Sequence, residues 1–211
     1  MSEAEGRLVS SGNPEHPRVT TREQRRLRSA QLLRAGALLA IGFGIAFSAT
    51  LHEQLAFDRG VMTIAFALIG LSTLIEYLSL RGTAESWWVA ARAVVAFAGA
   101  GALIAVVDTA GLALVVAVWA LLTALITIMR LTRGAQPGGA AIPSALLSAA
   151  LAVAVLIVRD DAVAIIGFFG TYAVIRGVFL GIAAFDLRAH GGDADRGGDT
   201  TPGDAANERA A

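Results

Sequence analysis

The chain has 211 residues, of which 55% are hydrophobic and only 16% charged. A soluble domain has about 25% charged residues, so this composition points away from one. Seventeen basic residues balance seventeen acidic ones, which leaves no basic field for nucleic acid, and the absence of cysteine excludes disulfides, thiolate metal sites and cysteine nucleophiles.

Residues 1–30 are polar and read as a basic, disordered cytoplasmic tail. Its arginines, Arg18, Arg22, Arg25, Arg26 and Arg28, form a block that anchors topology at an anionic inner leaflet. The first apolar run starts only near Leu32, too late for the apolar core of a secretory signal.

A hydrocarbon core of about 30 Å needs about 20 helical residues to cross it. Six segments fit: 32–51, 61–80, 87–107, 111–129, 142–158 and 163–185. Arg34 is expected to snorkel from span one to the interface. Trp87 and Trp88 open span three at headgroup depth. Pro143 stands at a helix start, where it is tolerated. From 190 onward the chain is a Gly/Asp-rich tail.

The predicted fold is therefore all-α: a polytopic membrane protein of six transmembrane helices arranged as three hairpins, 31–82, 87–134 and 142–189, between disordered tails. Arg81, Arg130, Arg133 and Arg188 fall on one side, which the positive-inside rule makes cytoplasmic, together with both termini. This predicts a multi-pass protein of a bacterial plasma membrane with the lipid bilayer as its partner. Each hairpin closes on an arginine, in LSLRG, RLTRG and FDLRA, and the closing residues Arg81, Arg133 and Arg188 are 52 and 55 residues apart. Such spacing is the mark of a copied unit. The second helix of each hairpin begins shortly after an acid, Asp58, Asp108 or Asp161, where capping and the helix dipole favour acids.

RSAQLLRAGALLAIGFGIAF (28–47) and GTYAVIRGVFLGIAAFDLR (170–188), set among three Gly/Ala-rich hairpins with short acidic connectors, resemble actinobacterial six-span proteins of the short-repeat group that includes the HdeD acid-resistance proteins. The resemblance implies a six-helix bundle in the inner membrane with a stress- or acid-related role. It offers no catalytic residue to carry over.

Charge inside a membrane costs at least about 2.5–3.5 kcal/mol per residue near the midplane, so each such group needs a partner. Glu76 and Arg92 lie about 6–9 Å inside adjacent antiparallel spans by helical rise and are placed to pair. Arg176 lies deeper. It is expected at the polar centre of the bundle, with Glu76, Tyr172 or Tyr77 as acceptors. Small residues at four-residue spacing, Gly36, Ala40 and Gly44 on span one and Ala173, Gly177 and Gly181 on span six, suggest packing faces. Either spans one and six close the bundle through them or they form a homo-oligomer face.

His16, His52 and His190 stand apart, and only His52 beside Glu53 suits acid sensing. No HExxH, paired-histidine helix or Gly-x-Ser-x-Gly elbow occurs, so neither a metal, a cofactor nor an enzyme is predicted. Two functions remain: a non-enzymatic protein of stress or envelope homeostasis, or a small transporter using Glu76, Arg92 and Arg176.

Overall fold

A computed structural model describes residues 21–48, 54–83, 85–133 and 141–196. They form six α-helices: α1 (Thr21–Phe47), α2 (Leu55–Ser79), α3 (Ser86–Ile104), α4 (Thr109–Thr132), α5 (Ala141–Ile157) and α6 (Ala162–Arg196). Helices are the expected outcome for such apolar runs, because in lipid every backbone polar group must be satisfied within its own segment. Five of the six are long and apolar enough to cross a membrane. The remaining one, α5, is an apolar helix of 17 residues, and residues 134–140 before it lie outside the described residues. So do His16, His52, Glu53 and the chain ends 1–20 and 197–211.

Three boundaries differ from expectation. α1 starts at Thr21, inside the segment read as a disordered tail, and α6 continues to Arg196. Once an apolar helix is nucleated, adding flanking turns costs little. α2 starts at Leu55, so Asp58, Arg59 and Gly60 are helical and not part of a connector. Arg59 Nη1 donates to the Val106 carbonyl at 2.8 Å. That bond ties the start of α2 to the α3–α4 connector and satisfies a carbonyl just past the end of α3.

Asp108 and Asp161 cap as expected: Gly111 N–H donates to Asp108 Oδ1 at 2.7 Å and Ala164 N–H to Asp161 Oδ1 at 3.0 Å. Asp58 does not cap. Gln54 holds that position, and Asp58 is buried in the first turn of α2. At the other end of the bundle Gly82 adopts φ +93°, the left-handed conformation that glycine takes without strain, in the turn from α2 to α3.

The helices close into a ring in chain order, with α1 packed on α6. The most extensive interfaces are α1–α6, α2–α3 and α4–α5, while α1–α2, α3–α4 and α5–α6, the two helices of each expected hairpin, share smaller ones. α6 also touches α2 and α4 across the centre. Phe66 of α2, Trp119 of α4 and Phe169 of α6 meet there, with centroids 4.8, 5.5 and 5.8 Å apart. Tyr172 stands edge-on to Trp119 at 5.8 Å.

Glycines set the closest approaches, but not the set expected. A Cβ at Gly42 would stand 2.9 Å from the Gly170 carbonyl oxygen, one at Gly170 3.0 Å from Ile45, and one at Gly177 3.1 Å from the Ala35 carbonyl oxygen. These contacts join α1 and α6 antiparallel. Gly36, Gly44 and Gly181 have open space where a Cβ would go, so the tight contact on α1 falls at Gly42, a different face from Gly36 and Gly44. α2 and α3 interlock reciprocally, with Gly70 against the Phe97 ring and Gly99 against the Phe66 ring.

The outer surface is as apolar as the interior. On α2, Met62, Ala65, Phe66 and Ile69 are buried while Ile64, Leu68, Leu71 and Ile75 are exposed on other faces. A surface of this kind exceeds the apolar patch a water-soluble monomer carries and suits a lipid environment.

Candidate functional site

Above the aromatic centre, toward the end of the bundle that carries Arg81, Arg130 and Arg133, lies a layer of polar side chains drawn from all six helices. α6 presents Arg176 one turn beyond Tyr172, so the two share a face. Arg176 Nη1 donates to the Tyr172 hydroxyl and, at 3.1 Å, to Ser148 Oγ of α5. Ser148 Oγ and the Tyr172 hydroxyl are themselves 3.1 Å apart. Ser148 uses its own proton on the Ser144 carbonyl at 3.0 Å, so Tyr172 is the donor to Ser148. All three side chains are buried: Arg176 is 5% exposed, Tyr172 2% and Ser148 0%. Arg176 is thus held by neutral oxygens and not by a carboxylate.

Glu76 pairs with neither arginine proposed for it from the sequence. Its Oε2 accepts from Arg34 Nη1 at 2.9 Å. Arg34, expected to snorkel, is instead 6% exposed. The reason lies in the face it occupies: Arg34, Leu38, Ile41 and Ile45 are all buried and follow a four-three-four spacing, the inward stripe of α1. From there the guanidinium reaches across to α2.

Arg92 of α3 is half-buried and close enough to feel the charges of Glu76, Arg34 and Arg176. It has no hydrogen-bond or ion-pair partner among the described residues, and its Nε is a buried donor with none. Arg34 Nε is another. Arg34, Arg92 and Arg176 all line one small cavity of ≈ 10 Å³, together with Thr73, Thr123, Trp119 and Tyr172. That is room for about one water-sized sphere.

Nearer the end of the bundle, Arg130 Nε meets Glu85 Oε2 at 2.6 Å, with both side chains about a third exposed. Arg133 stacks over Trp88 at 5.2 Å from the ring centroid, while Trp87 is exposed. Among the described residues no group of three His, Asp or Glu side chains is placed to hold a metal ion.

The structure therefore gathers Arg92, Arg176 and Tyr172 around one cavity, with Glu76 attached through Arg34. From the sequence Arg34 was expected at the interface and not in this layer, and Ser148 was not singled out. The inward periodicity of α1 would have found Arg34. A lone serine among the small residues of α5 carries no such signal. Chemically the layer presents guanidinium and hydroxyl donors and a single carboxylate already bonded, a set that holds negative charge. No protein-family model, curated protein or solved structure matches the chain.

Proposed function

We propose that this chain is a multi-pass protein of a bacterial plasma membrane with a non-enzymatic role in envelope or stress homeostasis, acting by packing, partner binding or sensing. The observation that carries this reading is the stacked centre. A cavity with room for one water is lined by Trp119 and Tyr172, and Phe66 and Phe169 stack behind Trp119, all four at most 4% exposed. That plug argues against a standing aqueous path. The strings at 28–47 and 170–188 favour a place beside the HdeD-type proteins, and arginine placement favours cytoplasmic termini.

Three copied hairpins of two spans each would account for a pattern that repeats in the packing. The second helix of each hairpin packs most extensively on the first helix of the next, α2 on α3, α4 on α5 and α6 on α1. The aromatic residues Phe66, Trp119 and Phe169 come from the three second helices, about 50 residues apart. At 1.5 Å per residue α5 is about 26 Å long, at the short end of the range for a span and a few Å less than a core of about 30 Å, so its crossing is part of this reading.

A transporter is the second reading, favoured by three arginines and one acid converging inside the bundle. Proteoliposomes carrying a pH gradient separate the two. The expected result is no flux above protein-free vesicles. Robust flux that disappears in Glu76→Gln and Arg176→Leu variants would replace this reading with transport.

A further inference from the structure

The geometry points to the cavity between Arg34, Arg92 and Arg176 as a binding site for a small inorganic anion of about the size of chloride. Four charged groups meet in this layer, three guanidinium cations and the Glu76 carboxylate. The carboxylate is bonded to Arg34 and does not line the cavity. Arg176 is bonded only to hydroxyls. Arg92 has no hydrogen-bond or ion-pair partner among the described residues. Two positive charges thus remain uncompensated in an interior where unpaired buried charge is costly. Lysine in such a place could shed its proton, but arginine keeps its charge, so the compensation must come from outside the described residues.

The cavity supplies what such an ion needs. It is lined by all three guanidinium groups, and Arg34 and Arg92 each hold a buried Nε donor in reserve. Thr123, 5% exposed, also lines it, with a hydroxyl that makes no other hydrogen bond among the described residues. Its ≈ 10 Å³ sets the class of ligand. A single atom fits with slight give, whereas a phosphate, a carboxylate metabolite or a lipid headgroup does not. The site would be occupied whether or not the bundle conducts, so the flux experiment and the binding experiment fail separately.

Trp119 lines the same cavity and provides the probe. In a Trp87→Phe/Trp88→Phe background it is the sole tryptophan of the chain. The full-length protein in detergent, prepared in gluconate buffer, is titrated with bromide, a heavy-atom quencher. The expected result is saturable quenching of Trp119, reversed by chloride and not by gluconate or glycerophosphate. Arg92→Gln should weaken the apparent affinity about tenfold or more, as removal of one charge-assisted hydrogen bond does, and Arg92→Lys should recover part of it. Should Arg92→Gln fail to fold, Thr123→Leu keeps every charge, fills the cavity and should abolish saturation. Quenching that stays linear in bromide would overturn the proposal. So would saturation that survives Thr123→Leu, or displacement by glycerophosphate in place of chloride.

Discussion

Replacing Glu76 by leucine removes the carboxylate that holds Arg34 and leaves a guanidinium with 7% side-chain exposure facing two other arginines. The formal charge of the layer rises from two positive to three. Breaking a buried ion pair by deleting one partner costs about 3–5 kcal/mol, because the survivor is uncompensated. Arg34 Nε already lacks a partner, so the remaining group has little local relief. We therefore expect Glu76→Leu to lose about 3–5 kcal/mol. The double variant Arg34→Leu/Glu76→Leu should regain most of it, since a pair of well-packed apolar residues often replaces a buried ion pair without loss. Unfolding in mixed micelles by a denaturing detergent, followed by tryptophan fluorescence, gives the four corners of the cycle. The Glu85–Arg130 pair is an internal control: at about a third exposed, its deletion should cost about 0–1 kcal/mol. A loss below about 1 kcal/mol for Glu76→Leu, or a double variant no more stable than the single, would refute the view that Arg34 depends on Glu76.

Two further perturbations probe the frame around the site. Gly42→Ala should destabilise by about 1–3 kcal/mol, because its Cβ meets the Gly170 carbonyl and forces α1 from α6. Gly36→Ala, with open space around it, should be neutral or stabilising by up to about 1 kcal/mol in the same unfolding assay. Asp108→Ala and Asp161→Ala should each cost about 1 kcal/mol as lost caps. Asp160→Ala should cost nothing measurable, since its contact with Arg159 is 3.8 Å long and exposed. Equal effects at 160 and 161 would remove capping as the explanation.

What the sequence carried and what it withheld divide along a physical line. Length and hydropathy locate α3, α4 and α5 to within a few residues, because the cost of exposing backbone to lipid acts on every residue of a span. The caps at Asp108 and Asp161 were legible because capping is local. The interior faces were not. In water, hydrophobicity tells inside from outside, but here both sides of α1 are apolar, so Gly36 and Gly44 looked as suitable for packing as Gly42. The same ambiguity hid Arg34: near the start of an apolar span, an arginine that snorkels and one that turns inward have the same sequence context. Only the spacing to Leu38, Ile41 and Ile45 separates them. The partner of Glu76 depended on which helices close the ring, a tertiary fact with no local signature.

If the three hairpins are copies, the aromatic centre and the polar layer have followed different courses. The centre keeps an aromatic ring from each second helix, and three rings around one axis fill space without conflict. The polar layer breaks the equivalence. The first helices contribute Arg34, Arg92 and Ser148, and among the second helices only α2 supplies an acid, Glu76, while α6 supplies Arg176. A third arginine in place of Ser148 would have faced Arg176 directly, whereas serine accepts from it and from Tyr172 at once. That exchange removes one repulsion and leaves two charges unmatched. Packing alone gives no reason to keep them, since apolar residues of similar volume would cost less. A bound anion does give one, and it makes Arg92, the least satisfied of the three arginines, the residue on which occupancy turns.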